Sequence, residues 1–273
     1  MGAGEGRGDR EVNPWKRKEV IGNATLYLGD ALQILPVLPA ASVHMVFTDP
    51  PYGHNNNDGD LIHAWEQALG RLPANGSDRP RPIANDGPEA EELFKAVLPE
   101  LNRVLASKGC CCCCCGGGGG PDPMFARWSL ALDEVFDFKQ MIVWDKGPMG
   151  MGWHYRRSYE TVLVAEKCGG SRWFDESDKI ENIIRPGQYG IRKIIPSQRE
   201  HPTAKPPELA RHFIRLHTQQ GETILDPFMG AGSTGDAALG IQRQFIGIEL
   251  SEEWFKASCE RIENAQRQVR MFA

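Results

Sequence analysis

The strongest constraint in this sequence is a set of short apolar runs that each stop at an acidic or glycine-rich turn. Ala24–Leu28 runs into Gly29-Asp30, Val43–Phe47 into Thr48-Asp49-Pro50-Pro51-Tyr52, and Gly109–Cys115 into the glycines at 116–120. Thr223–Leu225 runs into Asp226-Pro-Phe-Met-Gly230, and Phe245–Ile248 into Glu249. The runs are unbroken rather than alternating, which is the pattern of strands buried on both faces. Helical patterns lie between them. Glu89–Ala106 places Leu93, Phe94, Val97, Leu98, Leu101, Val104 and Leu105 at helical spacing, with a kink expected at Pro99. Pro206–His217 and Glu252–Arg267 read the same way. Strands alternating with helices predict an α/β fold, a doubly wound and mostly parallel sheet. Phe138–Trp144 and Thr161–Ala165 add a pair of strands, antiparallel at the sheet edge. His54–Asp60 and Leu72–Pro88 read as loops.

A chain of 273 residues is long enough for one large domain. No apolar run approaches the roughly 20 residues of a membrane-spanning helix, so no membrane partner is expected. Residues 1–19 are Gly-rich and charged and lack the apolar centre of a signal peptide. They read as a disordered tail, and the protein as cytoplasmic. Of the eight cysteines, Cys110 to Cys115 are consecutive, so ordinary disulfides among them are ruled out. They also lack the C-x-x-C spacing of a zinc site. They read as small buried hydrophobes, and no metal is expected. The net charge of −5 argues against a nucleic-acid partner. Its distribution does not: residues 139–215 hold 14 Lys+Arg against 9 Asp+Glu, a basic segment on an acidic body that suits local contact with DNA.

Two motifs carry chemistry. In the first, Gly230, Gly232 and Gly235 follow an apolar strand and open a helix at Ser233–Leu239, as in a G-x-G-x-x-G nucleotide site. Glu249, at the end of the next strand, is placed to accept from ribose hydroxyls. Asp226, just before the glycines, would repel a pyrophosphate but could bind an ammonium. A ligand with a ribose, an amino-acid ammonium and no phosphate satisfies both, and S-adenosylmethionine is such a ligand. In the second motif, Asp49-Pro50-Pro51-Tyr52, the prolines fix the backbone. A carboxylate, a rigid Pro50 carbonyl and an aromatic face then suit a planar ring bearing an NH2 group.

Together these motifs resemble the amino-methylating DNA methyltransferases, with their Asp-Pro-Pro-Tyr and Phe-x-Gly-x-Gly signatures, here Asp49–Tyr52 and Phe228–Gly232. His201-Pro-Thr-Ala-Lys-Pro206 and Gly29-Asp30-Ala31-Leu32 match further family elements. The motif order, Asp-Pro-Pro-Tyr first, is similar to the circularly permuted β-class. The resemblance implies a Rossmann-like S-adenosylmethionine-dependent methyltransferase fold with a seven-stranded sheet and helices on both faces. It implies one methyltransferase domain over 20–273, with 146–199 inserted for target recognition. Asp49, Pro50, Pro51 and Tyr52 would then be catalytic. Asp30, Ala31, His201, Thr203, Lys205, Asp226, Phe228, Gly230, Gly232, Ser233, Thr234 and Glu249 would hold S-adenosylmethionine, with Lys205 on its carboxylate. His154, Arg156 and Arg157, in an aromatic-basic cluster, would contact double-stranded DNA. A homodimer and a companion restriction endonuclease fit such a protein. Within the family the Asp of Asp-Pro-Pro-Tyr leans toward adenine N6. Cytosine N4 is the alternative amine, and a non-catalytic DNA-binding or cofactor-sensing module the alternative class.

Overall fold

Each of the apolar runs becomes a strand in a computed structural model, which describes residues 13–53, 84–115, 124–147, 158–170, 172–175, 179–191 and 205–271. The strands are β1 (Arg17–Ile21), β2 (Ala24–Leu28), β3 (Val43–Thr48), β4 (Leu105–Cys115), β5 (Asp137–Asp145), β6 (Tyr159–Glu166), β7 (Ile183–Ile184), β8 (Thr223–Asp226) and β9 (Gln244–Glu249). They form one sheet in the order β1-β2-β9-β8-β3-β4-β6-β5-β7. The centre, β2-β9-β8-β3-β4, is parallel throughout. β6 runs antiparallel to both β4 and β5, so the two strands expected as an edge hairpin do pair.

Parallel strands need crossovers, and helices supply them. These are α1 (Ala31–Ile34), α2 (Ala90–Val104), α3 (Met124–Val135), α4 (Pro207–His217), α5 (Ser233–Leu239) and α6 (Glu252–Met271). One face of the sheet buries Val46, Leu225, Cys111 and Cys113 against Phe94, Leu98 and Leu101 of α2 and Trp128 of α3. The other buries Met45, Cys110, Cys112 and Cys114 against Phe213 of α4, Leu239 of α5 and Phe255 and Ile262 of α6. Helices thus cover both faces, as the unbroken apolar runs require.

Four details depart from expectation. Among the described residues the sheet has nine strands rather than seven, the additions being β1 and β7. β1 also shortens the expected tail of 1–19. Arg17–Ile21 pairs with β2, and Trp15 packs on Tyr27 with ring centroids 5.1 Å apart. An edge strand needs to bury only one side, so a charged Arg-Lys-Glu sequence can still form it. The segment 146–199 is not wholly an insertion, because β6 lies inside the sheet between β4 and β5. Finally, α2 continues through Pro99 and stops at Val104. Leu105 is already strand, and the β3–β4 register jumps from Val43↔Leu105 to Met45↔Cys110. The extra residues bulge at Lys108, which takes a φ of 64°.

The cysteine run is strand β4, and its residues 110 to 114 are buried, as small hydrophobes would be. Alternation sends Cys110, Cys112 and Cys114 to the α4 face and Cys111 and Cys113 to the α2 face. Burial opposes ionisation of Cys110, but the hydrogen bond from Cys112 and the charge of His217 outweigh it and bring the thiol down to about 6.

β1 closes an otherwise bare β2 edge. A chain lacking residues 1–21 is therefore expected to lose about 2 kcal/mol of stability, lowering its thermal midpoint by roughly 4–8 °C in a domain of this size. An unchanged midpoint in a thermal melt would mean that β1 contributes nothing.

Candidate functional site

The glycine-rich turn leaves β8 at Asp226, which is buried. Its Oδ1 accepts from the Phe228 amide at 3.1 Å and from the Thr48 hydroxyl, at the end of neighbouring β3, at 2.8 Å. Gly230 and Gly232 take φ of 49° and 80°, a left-handed region that glycine enters without steric penalty. The Gly230 amide donates to Glu249 Oε2 at 2.9 Å, and the Ser251 amide to Oε1 at 2.8 Å. The strand end of β9 thereby clamps the turn. Ser233 and Thr234 open α5 directly behind it, Thr234 being buried. The partly buried Phe228 packs on the α2-side core.

Asp30 follows the end of the next strand, β2, whose Leu28 is the register partner of Glu249. It caps α1, its Oδ1 accepting from the Leu32 amide at 2.9 Å, with Ala31 buried behind it. Asp30, Glu249 and Asp226 thus lie along one edge of the sheet. No ion pair among the described residues engages any of the three. Burial pushes Asp226 up to about 7, against the restraint of hydrogen bonds from Thr234, Thr48 and the Phe228 amide. Burial likewise raises Glu249. A turn lined by carboxylates and carrying no cation is hostile to a pyrophosphate and receptive to a cationic ligand with hydroxyl donors.

A Cβ added at Gly232 would meet Ser258 of α6, at 3.1 Å from its Cβ and 3.3 Å from its Cα. Together with the φ of 80°, this makes Gly232 a packing requirement of α5 on α6.

Asp-Pro-Pro-Tyr leaves β3, the strand beside β8. The Asp86 carboxylate pins its turn, accepting from the amides of Tyr52 and Gly53 at 2.8 Å each. The Tyr52 ring leans on Trp128 at 5.8 Å, and its hydroxyl donates to Asp49 Oδ1. Lys205 donates to Asp49 Oδ2 at 2.7 Å and to the Tyr52 hydroxyl at 2.9 Å. Its ammonium also lies 3.3 Å from Glu160 Oε2, and Lys146 holds the other Glu160 oxygen at 2.8 Å. Burial raises Asp49, with Lys205 and Tyr52 pulling the other way. Burial disfavours the Lys205 charge, but Asp49 and Glu160 overcome it and hold the ammonium above its ordinary range.

Lys205 is therefore placed differently from expectation. The resemblance gives it a cofactor carboxylate, but its ammonium meets two half-buried carboxylates at the Asp-Pro-Pro-Tyr site, Asp49 and Glu160. His201 and Thr203 of the same element, and His154, Arg156 and Arg157, lie outside the described residues. Asp86, Glu160, Lys146 and Thr48 were missed. Asp86 sits in a stretch read only as loop. Glu160 showed one signal, a carboxylate heading an apolar strand.

The comparisons with known proteins agree with this geometry. A family model described as DNA methylase matches residues 43–260. The DNA adenine methyltransferase YhdJ of Escherichia coli (strain K12) is 28% identical over 269 residues, 88% of this chain and 83% of that protein. The type II methyltransferase M.XycI of Xanthomonas campestris pv. cyanopsidis is 27% identical, covering 92% and 91%. Among solved structures, the M1.HpyAVI–SAM complex is 26% identical with a TM-score of 0.58, covering 87% of this chain and 99% of that one. The cytosine-N4-specific PvuII DNA methyltransferase has a TM-score of 0.66 over 93% and 96%, and at 19% identity it shares the fold.

The raised Asp226 makes a prediction about stability. Folded, Asp226 keeps its proton up to about pH 7; its ordinary value is 3.8. Between those values the folded state binds the extra proton, so this group's contribution to stability declines as pH rises through that window. Asp226→Asn keeps the acceptor oxygen and removes the titration. Denaturant unfolding at pH 5 and pH 8 should show the variant gaining on the parent as pH rises. An equal difference at both pH values would contradict the burial of an ionisable carboxyl here.

Proposed function

The chain belongs to the DNA methylase family of N6- and N4-methylating enzymes, and on that premise we propose that it transfers a methyl group from S-adenosylmethionine to the exocyclic N6 amine of adenine in double-stranded DNA. One observation carries the reading. Asp49 and the glycine-rich turn leave adjacent parallel strands at the same edge of the sheet, joined through Thr48 and Asp226. Ligands of open α/β sheets bind at the carboxyl ends of the strands. A base held by one motif therefore abuts a cofactor held by the other.

The residues of the turn fit the cofactor. Asp30, Asp226 and Glu249 form a set of acceptors for a cation and for ribose hydroxyls, and the positive φ of Gly230 and Gly232 bends the backbone around the site. Asp30 and Ala31 would meet the adenine end, Glu249 the ribose, and Phe228, Ser233 and Thr234 the walls, with His201 and Thr203 at the amino-acid end. When bound, S-adenosylmethionine supplies a methyl group made electrophilic by the sulfonium.

This chain's residues prepare the nucleophile. An amine paired inside a duplex is out of reach, so the base must be flipped into the site. Asp49 and the Pro50 carbonyl accept the two amine hydrogens, which localises the nitrogen lone pair. The rigid Pro50-Pro51 backbone fixes the direction of attack. Tyr52 packs against the ring. Lys205 offsets part of the burial that raises Asp49, and Glu160 retains the ammonium when the amine takes its place on Asp49. Positive charge then develops on the attacking nitrogen beside a fixed carboxylate, which is where electrostatic stabilisation is most effective. The choice of adenine is supported by Asp at position 49 and by the name of the Escherichia coli relative. Arg156, Arg157 and His154, in the basic segment, are assigned to DNA contact.

Asp49→Ala separates the two motifs. Methyl transfer to duplex DNA should fall by at least ~10²–10³-fold, the loss typical of removing one preorganised electrostatic contact. Calorimetric affinity for S-adenosylmethionine should stay close to that of the parent. Near-normal transfer by the variant would remove Asp49 from the chemistry.

A further inference from the structure

We propose that Cys110, Cys112 and His217 form a closed structural site for one thiophilic d10 cation, zinc(II) or copper(I), on the sheet edge away from Asp49. The ligand atoms of the three residues all lie within 4.8 Å of one another, and all three residues are buried. The two sulfurs are 3.4 Å apart. A tetrahedral zinc centre with Zn–S of about 2.3 Å separates its sulfurs by roughly 3.8 Å, so a shift of a few tenths of an ångström suffices.

The strand explains why two cysteines converge without the C-x-x-C spacing of a zinc turn. On an extended chain, residues two apart share a face, so Cys-x-Cys on β4 presents both thiols to α4. The histidine is prepared independently. The Arg172 carbonyl lies 3.0 Å from His217 Nδ1. A carbonyl only accepts, so Nδ1 carries the proton and the Nε2 lone pair is the ring's coordinating atom. Orientation by a backbone carbonyl is the usual support of a metal-binding imidazole. Glu166 is the register partner of Cys110 and its side chain is buried on the same face, which places a carboxylate beside the three ligands. Two thiolates and an imidazole select soft cations, burial keeps bulk water from the site, and zinc(II) would add a fourth donor to the three.

The location gives the site a purpose. His217 is the last residue of α4, and Lys205 lies two residues before that helix begins. A cation bridging β4 and His217 would lock the far end of the element that brings Lys205 to Asp49. Binding displaces the thiol protons and is coupled to folding.

The test uses the full chain, purified anaerobically under reducing conditions and also refolded with zinc(II), cobalt(II) or copper(I). The expected result is a stoichiometric amount of zinc or copper by elemental analysis. Cobalt(II) should give strong thiolate-to-metal charge-transfer absorption and a raised thermal midpoint. Release to a zinc-selective or a copper(I)-selective chelator identifies the cation. Cys112→Ser should lose the cobalt absorption, while Cys111→Ser, on the opposite face, should keep it. Should Cys112→Ser fail to fold, the parent titration still decides. No metal in the parent under any of these conditions, or equal loss in the Cys111 and Cys112 variants, would overturn the proposal.

Discussion

One buried hydrogen bond, from the Thr48 hydroxyl to the Asp226 carboxylate at 2.8 Å, joins the two halves of this protein's chemistry. β3 and β8 are neighbours in the sheet but lie far apart in sequence, and each ends in a turn of unusual backbone. The sheet sets their register through Met45↔Ile224 and Val46↔Leu225. Beyond those pairs the ladder stops, and this side-chain bond carries the alignment to the turns. A typical hydrogen bond contributes about 0.5–1.5 kcal/mol net, and orphaning a buried partner costs about 1–3 kcal/mol. The same Asp226 oxygen also receives the Phe228 amide. The alignment of the glycine turn with the end of β3 therefore runs through Asp226, while Glu249 clamps the turn from β9.

The second constraint is charge. Lys146, Glu160, Lys205 and Asp49 form an alternating chain, linked at 2.8, 3.3 and 2.7 Å. A buried carboxylate with no cation would be protonated or destabilising. Lys205 neutralises Asp49 without consuming it, because Glu160 offers the ammonium a second partner. The glycine turn takes the opposite course. Among the described residues its carboxylates have no basic partner, burial raises Asp226 and Glu249, and a cationic ligand is the natural complement. The two motifs differ less in their residues than in whether the protein supplies the counter-charge.

Much of this was legible in the sequence, and the failures share a physical origin. The strands could be read because burial on both faces leaves unbroken apolar runs, and α5 because a Gly-rich turn opens it at Ser233. The Asp49 and Asp226 turns could be read because prolines and glycines impose backbone geometry locally. β1 escaped because an edge strand tolerates charge on its open side. Glu160 and Asp86 escaped because their roles depend on partners distant in the chain, and no local pattern marks a carboxylate that will meet Lys205 or the Tyr52 amide. The pairing of Lys205 with Asp49 and Glu160 escaped for the same reason. The cysteines were read correctly as buried, but spacing rules learned from turns do not apply to a strand, where alternation decides which thiols meet.

In this mechanism the amine of a flipped adenine meets a sulfonium methyl at the β3–β8 edge. The most direct measurement is the identity of the product. Duplex DNA incubated with the protein and methyl-labelled S-adenosylmethionine, digested to nucleosides and separated by mass, should carry its label in N6-methyladenine. Label in N4-methylcytosine would contradict the choice of base, and DNA without label would contradict the activity itself.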